Sequence, residues 1–319
     1  MRPYSANPQS FTTASAVATA AVSPVATALL RHNDVAEVLH FLQERALHNV
    51  VMSGFIRDHG IESELNRGSF YGSRDENNLL QGVALIGHAT FIDARREIVI
   101  PEFARLAQDF PRIHMVLSEL EVVEQFWRSY APAGQKLRCR AREVMFELNH
   151  VLADVEDDWA LQPATPAELH QVAALQASLA YQESGVNPLQ KDRAGFLFRC
   201  RQRIERDRVW TLVRDGEIIF KADIISETPD VIYLEGIYVN PDHRNQGLGS
   251  RCLTELAHRL LDRTQSIVIL VNENRTNAQR FFQRVGFVAR SVYDTLFLTP
   301  AQPGQDLMTQ RQMENWRTP

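Results

Sequence analysis

The residues with the plainest chemical capacity run from Gly236 to Ser250: Gly-Ile-Tyr-Val-Asn-Pro-Asp-His-Arg-Asn-Gln-Gly-Leu-Gly-Ser. An apolar strand pattern stops at Asn240-Pro241. Arg244-x-x-Gly247-x-Gly249 follows, and a helical pattern begins at once. Two glycines at a strand-to-helix turn let backbone approach a bulky anion. The first amides of a helix have no partner inside it, and the helix dipole there favours negative charge. A diphosphate is the natural occupant of such a turn. An ordinary glycine turn would use the same residues, so the surrounding elements decide.

Those elements fit. From Leu248 to Leu261 the apolar residues Leu248, Cys252, Leu253, Leu256, Leu260 and Leu261 fall at helical spacing on one stripe. Ser266 to Val271 is a continuous apolar run, as in a strand covered on both faces. After the polar break Asn272-Glu273-Asn274, helical spacing returns from Asn277 to Val285, and Gly286 caps that helix. Phe287 opens a further strand, and Tyr293 to Leu298 closes the sheet.

The block resembles the acyl-CoA-binding half of the GNAT superfamily of N-acetyltransferases. Two motifs carry the resemblance: Val239-x-Pro241-x-x-Arg244-x-x-Gly247-x-Gly249, and the later Ala278-x-x-x-Phe282-x-x-x-Gly286-Phe287. The resemblance implies an α/β fold with a mixed, mostly antiparallel sheet flanked by helices. It implies acetyl-CoA as co-substrate and acyl transfer from a thioester to an amine. Backbone amides of Arg244, Asn245, Gln246, Gly247, Leu248, Gly249 and Ser250 would cradle the diphosphate. The main chain of Ile237, Tyr238 and Val239 would pair with the pantetheine arm like an added strand. Asn272 and Asn274 stand where the family places polar contacts to that arm; helix capping is the equal alternative.

The amine must be neutral to attack. Glu235 alternates with Ile237 and Val239 on one face of the strand and is the candidate base. Among Tyr233, Leu234 and Ile237 its pKa is expected to rise; an edge carboxylate paired with arginine is the competing reading. A main-chain N–H near Tyr238 or Val239 would stabilise charge on the carbonyl oxygen. The chain departs from the family at Phe282, which stands among the cofactor-contacting positions where a thiolate-protonating tyrosine is usual. Either Tyr293 or Tyr238 serves instead, or the thiolate leaves unaided, as a thiol pKa near ~8.5 permits. The acceptor pocket is expected from 181 to 193 and the loop before Tyr293, with Glu183 and Asp192 able to hold a cation.

The remaining chain suits two lobes. Its 319 residues are long for one compact domain. Residues 1–24 read as a flexible leader, 25–155 as a first lobe, 161–299 as the catalytic lobe and 300–319 as a loose tail. In the second lobe, Ala167–Leu179 and Ala194–Ile204 read as helices around a loop, 181–193. Val209–Val213 and Glu217–Ile225 form a hairpin, and Val231–Val239 leads into the turn. In the first lobe, Val35–Leu47, Val50–His59, Ile100–Asp109 and Val122–Tyr130 read as helices. Val25–Leu30, Gly68–Gly72, Leu79–Ile92, His114–Leu117 and Lys136–Asn149 supply strands, the last of these one or two. The order of elements is therefore repeated, but no glycine lies between Ile92 and Phe103. The first lobe resembles a degenerate GNAT-like domain that covers the catalytic lobe or shapes its acceptor site.

Composition excludes several alternatives. A net charge of -5 gives no basic footprint for nucleic acid. No run approaches the roughly 18 apolar residues of a membrane span. Cys139, Cys200 and Cys252 are few and scattered, as in reduced thiols of a cytoplasmic protein. Glu37-x-x-His40 and Glu255-x-x-His258 each match half of a di-iron pattern, without the other helices, so no metal is expected. The expected partner is a small-molecule or peptide amine; the oligomeric state stays open. Two alternatives remain: a non-catalytic acyl-CoA-binding regulator, favoured by Phe282, and a longer acyl donor.

Overall fold

The computed structural model describes residues 25–151 and 161–299; the expected leader and tail lie outside the described residues. The first half contains β1 (Ala26–Leu29), α1 (Val35–Gln43), α2 (Ala46–His59), β2 (Gly68–Arg74), β3 (Leu80–Gly87), β4 (Ala89–Ala94), α3 (Val99–Gln108), β5 (Met115–Glu119), α4 (Leu120–Tyr130) and β6 (Leu137–Leu148). The second contains β7 (Gln162–Pro163), α5 (Leu169–Ser184), α6 (Pro188–Lys191), α7 (Arg193–Glu205), β8 (Val209–Arg214), β9 (Glu217–Glu227), β10 (Val231–Val239), α8 (Leu248–Leu261), β11 (Ser266–Asn272), α9 (Thr276–Val285) and β12 (Val288–Leu298).

All twelve strands join one mixed sheet in the order β1-β2-β3-β4-β5-β12-β6-β11-β10-β9-β8-β7. The last strand of each half crosses over. β6 pairs antiparallel with β11, and β12 pairs antiparallel with β5. β6 and β12 also pair with each other, from Val288↔Glu147 to Leu298↔Leu137. The two halves are thus joined by an exchanged pair of central strands, so backbone hydrogen bonds weld them where side-chain packing alone would leave them free to move. Alternation along the strands gives no hint of this, because a strand's pattern names its buried face and not its partner.

Helices cover both faces of the sheet. On one face α8 and α9 pack Leu248, Cys252, Leu253, Leu256 and Phe282 against Ile232, Leu234, Phe146 and Ile269. On the same face α3 and α4 pack against Ala84, Val116, Leu296 and Leu298. The opposite face carries α1 and α2 over β2 and β3, and α5 and α7 over Val209 and Ile218. α2 also reaches the second half: Ser226 Oγ donates to the Val50 carbonyl at 2.6 Å, and Arg208 Nη2 donates to Asp58 at 2.8 Å.

Several expected boundaries shift. The helix expected over Val35–Leu47 stops at Gln43, and α2 starts at Ala46, with Arg45 between them in non-helical backbone (φ -129°, ψ 55°). α5 runs on to Ser184, ended by Gly185 in the left-handed conformation. The expected loop 181–193 therefore contains the end of α5 and the short α6, whose start is capped by the Asn187 side chain accepting from the Leu189 amide at 3.0 Å. Lys136–Asn149 gives a single strand, β6. The strand expected to open at Phe287 and the closing strand Tyr293–Leu298 are one strand, β12, which begins at Val288.

Candidate active site

β10 is the element that positions the site. Its parallel pairing with β11 covers only Val231↔Ser266, Ile232↔Ile267 and Tyr233↔Val268. Beyond Tyr233 the two strands part, so the edge of β10 from Glu235 to Val239 has no strand partner on the β11 side. On the other side β10 pairs with β9, but the register shifts between Glu235↔Asp223 and Tyr238↔Lys221. Gly236 sits in that bulge with φ +62°. A Cβ there would stand 2.5 Å from Gln176 Oε1 and 3.0 Å from Lys221 Nζ. Glycine is required twice over, by backbone conformation and by space.

The turn behind β10 is built as the motif requires. Asn240 Oδ1 accepts from the Asp242 amide at 3.0 Å, and Arg244 Nε donates to the Val239 carbonyl at 3.0 Å. Asn245 (φ 60°) and Gly247 (φ 79°) are both left-handed, and Gly247 is the N-cap of α8. The first amide bond of the helix is Arg251 N–H to the Gly247 carbonyl at 3.1 Å. The amides of Asn245, Gln246, Gly247, Leu248, Gly249 and Ser250 find no backbone acceptor among the described residues. Gly249 lies against β10, where a Cβ would meet Val239 Cγ2 at 2.8 Å. Unpartnered amides on a helix N-terminus, on close backbone beside a parted strand pair, fit the diphosphate and arm of coenzyme A.

Glu235 lies at the mouth of a buried polar chain. It accepts from Gln176 Nε2 at 3.3 Å. Lys221, fully buried, donates to Gln176 Oε1 at 3.0 Å, Asp223 Oδ1 at 2.7 Å and the Gly236 carbonyl at 3.1 Å. Lys221 therefore pins the bulge to β9 and aims Gln176 at Glu235. Loss of water raises the Glu235 pKa; Arg203 and Lys221 pull it back, and Asp223 pushes it up again. The edge carboxylate paired with arginine is not what forms: Arg203 approaches Asp223 at 4.0 Å instead.

Glu235 acts on two further carboxylates. Glu183, at the end of α5, is open to solvent yet hemmed in by the cleft. Desolvation, then Glu235, then Glu143 raise it to about 8. Glu143 comes from the first half, on the exchanged strand β6, between Asn272 and Tyr293 in the register. It accepts from Thr295 Oγ1 at 2.6 Å, and its pKa is raised by burial and by Glu235. Sequence reasoning missed Glu143, because only the strand exchange brings it here. Glu143 does alternate with Met145 and Glu147 on one face of β6, but no motif marks it.

The other expected residues fall as follows. The bulge at Gly236 breaks the expected alternation: Ile237 and Val239 pack partly buried against the α8–α9 core with Leu234, while Glu235 faces Gln176 of α5 on the other side. Tyr238 lies just past the bulge, paired with Lys221. Asn272 Oδ1 accepts from the Asn274 amide at 3.0 Å in the turn before α9, so it is not a helix cap: Arg275 holds the N-cap position. Asp192 caps α7 through the Gly195 amide at 2.9 Å. Phe282 is buried in the core, edge-on to Phe281 and Phe287. Tyr293 is buried too, and its hydroxyl shares a 2.7 Å hydrogen bond with His48 Nδ1 of α2. Burial holds that phenol well above its ordinary pKa. The expected acid is thus engaged with the first half. A cavity of about 40 Å³ beside it is lined by His48, Asp93, Glu119, Tyr233 and Val268, and by none of residues 235–250.

Two expectations lie outside the cleft. Glu37 bonds Arg74, and Glu255 bonds Arg259. Among the described residues no group of three or more His, Cys, Asp or Glu could hold a metal ion, and no helix is long and apolar enough to cross a membrane. Cys139, Cys200 and Cys252 are free thiols, and burial pushes Cys252 up to about 12.

Comparison with known proteins agrees with this geometry. The acetyltransferase (GNAT) family model matches residues 172–287. No curated protein matches the chain. Among solved structures, a Drosophila protein aligns at TM-score 0.62 and 13% identity, over 86% of this chain and 99% of its own. A GCN5-related N-acetyltransferase from Sphaerobacter thermophilus aligns at 0.54 and 13%, over 90% and 99%. A tandem GNAT protein from the clavulanic acid biosynthesis pathway aligns at 0.52 and 14%, over 88% and 100%. These likenesses show the fold; the family model shows the lineage of the site-bearing segment. Residues 172–287 match the acetyltransferase (GNAT) family model, within a chain whose fold is like that of a tandem GNAT protein.

Proposed function

We propose that the chain is an N-acetyltransferase that moves an acetyl group from acetyl-CoA directly to a primary amine on a small molecule or peptide. The observation that carries this is the parted edge of β10, bulged at Gly236, running into a turn whose amides from Asn245 to Ser250 are unpartnered. Acetyl-CoA supplies the thioester. The turn amides hold its diphosphate, and the main chain of Ile237, Tyr238 and Val239 pairs with its arm. Free thiols suit the reducing cytoplasm.

Glu235 takes the proton from the incoming ammonium, directly or through one water, so that nitrogen attacks with a free lone pair. Its raised pKa brings its basicity nearer to the task than an ordinary carboxylate's. Glu143 and Glu183 put carboxyl groups beside Glu235 as hydrogen-bond partners for an amine acceptor, with Glu183 largely protonated at neutral pH. A main-chain N–H at the bulge stabilises charge on the carbonyl oxygen. With Phe282 in the core and the Tyr293 hydroxyl on His48, Tyr238 is the remaining candidate acid; without it the thiolate leaves unprotonated. A second reading, acyl-CoA binding without transfer, rests on Phe282 standing in place of an acid.

The test is a thiol-release assay with acetyl-CoA against polyamines, aminoglycosides, amino acids and peptides. It is preceded by mass spectrometry of ligands carried through purification. Amine-dependent release is expected. Tight CoA binding without release for any amine would favour the second reading, and no CoA binding would overturn both.

A further inference from the structure

A second charged cluster lies away from the acyl-transfer cleft. His88, in the bend before β4, and His114, just before β5, stack with ring centroids 5.1 Å apart and planes 12° apart. The His88 amide donates to the Arg67 carbonyl at 2.8 Å, and the His114 amide to the His88 carbonyl at 2.8 Å. Phe297 packs on His114, and the Arg138 guanidinium lies 5.7 Å from the Phe297 ring. Lys191 and Arg199, at α6 and α7, act on His88, and Lys191, Arg138 and Arg67 act on His114. Strands of the first half and helices of the second therefore converge here.

The charges do not balance. Asp192 acts on Arg67, but it is engaged with the Gly195 amide and with Arg199 at 3.4 Å. Arg67, Arg138 and Lys191 have no ion pair among the described residues. Arg138 Nε and Nη2 are buried without a hydrogen-bond partner. Gly185, left-handed after α5, leaves Arg138 Nη1 uncovered: a Cβ there would stand 3.4 Å away. The two imidazoles cannot supply counter-charge. Burial and these same cations hold His88 at about 3 and His114 at about 4, both neutral at ordinary pH. Burial and Arg199 likewise lower Arg67 to about 10. Buried donors with no acceptor call for an explanation, and a bound anion is the direct one.

The geometry points to a binding site for a compact polyanion of the phosphate kind, gripped by Arg67, Arg138 and Lys191 beside the stacked His88 and His114. Arg67 and Lys191 are exposed, so the site opens to solvent, while Arg138 reaches it from within. The site stands independently of the acyl-transfer reading.

The experiment titrates inorganic pyrophosphate into histidine-labelled full-length protein at low ionic strength, followed by NMR. Gly247→Asp is introduced so that the α8 turn does not compete for the same anion. The His88 and His114 signals are expected to shift saturably and to titrate at higher pH, because an anion relieves the cations that oppose protonation. The affinity should fall steeply with salt. Lys191→Gln, an exposed change that leaves the core alone, should weaken binding about tenfold, and Arg138→Gln by at least as much. No shift of either imidazole up to about 10 mM pyrophosphate, or an affinity unchanged in Lys191→Gln, would overturn the proposal.

Discussion

Asp93 lies two residues beyond the last β4–β5 pair, Phe91↔Leu117, and Glu235 lies two beyond the last β10–β11 pair, Tyr233↔Val268. The two carboxylates hold the same position in the two halves, yet they meet opposite surroundings. Asp93 is buried and bound by Arg45 at 2.7 Å, Arg95 at 2.6 Å and Asn49 at 2.7 Å. Glu235 accepts from one amide and forms no ion pair, with Arg203 and Lys221 acting on it from their places around Asp223, and it lies on the open edge of β10. β4 pairs with β3 without a register shift, whereas β10 bulges at Gly236. Behind β4 the turn closes on itself, with the Val99 amide on the Arg96 carbonyl and the Ile100 amide on Glu97. Behind β10 the amides from Asn245 to Ser250 find no backbone acceptor among the described residues. A scaffold becomes a site by leaving polar groups unsatisfied, and becomes a support by satisfying them.

The largest effect expected from this contrast is at the two carboxylates themselves. Glu235→Gln should lower turnover about 10²–10⁴-fold while leaving CoA affinity unchanged. Asp93→Asn should leave turnover per folded molecule alone and cost about 3 kcal/mol of stability, because Arg45 and Arg95 lose a buried counter-charge. Steady-state kinetics with denaturant melts separates the two outcomes; turnover lost in both variants would end the contrast. The wild-type kcat/KM should rise with pH through an apparent pKa above the ordinary carboxylate range, since the base works deprotonated and its pKa is raised.

Next is cofactor stoichiometry. Calorimetry should find one CoA per chain, and Gly247→Asp should weaken it by at least about 100-fold, since a carboxylate would face the diphosphate. Two sites per chain would mean that the closed turn at Arg96–Ile100 opens after all. Gly236→Ala should follow, with a stability loss of about 1–3 kcal/mol from the left-handed backbone and a fall in turnover as Gln176 and Lys221 are displaced. A bulge that tolerates alanine with full activity would show that its geometry does not matter.

Much of this was legible in the sequence because it depends on local rules. The turn, both flanking helices and β11 follow from glycine placement and apolar spacing, and α8 runs over Leu248–Leu261 as its stripe requires. Glu235 could be singled out because its strand was identified. What stayed hidden is non-local. Nothing in the spacing of Leu137–Leu148 says that it pairs with β11 and β12, so Glu143 could not be placed beside Glu235. The burial of Tyr293 against His48 depends on α2 lying across the exchanged strands. The Asn272 side chain took neither the expected capping role nor a long-range partner, but bonds the Asn274 amide within its own turn.

The smallest effect concerns the acid cluster. Glu183 titrates at about 8 when folded, against an ordinary 4.5. Between those values the folded chain holds a proton that the unfolded chain has released, so stability should fall as pH rises through that window. Glu183→Gln removes the titration. Its melting temperature should match wild type near the lower end and exceed it slightly at the upper end, because the residue is open to solvent and the charge is partly screened. Glu119, the counterpart carboxylate at the parted edge of β5, is paired with Arg45 and accompanied by His48 at 3.4 Å. Glu119→Gln should therefore lose stability at neutral pH, the opposite sign to Glu183→Gln. Equal signs in a differential scanning series would mean that the two halves handle their carboxylates alike.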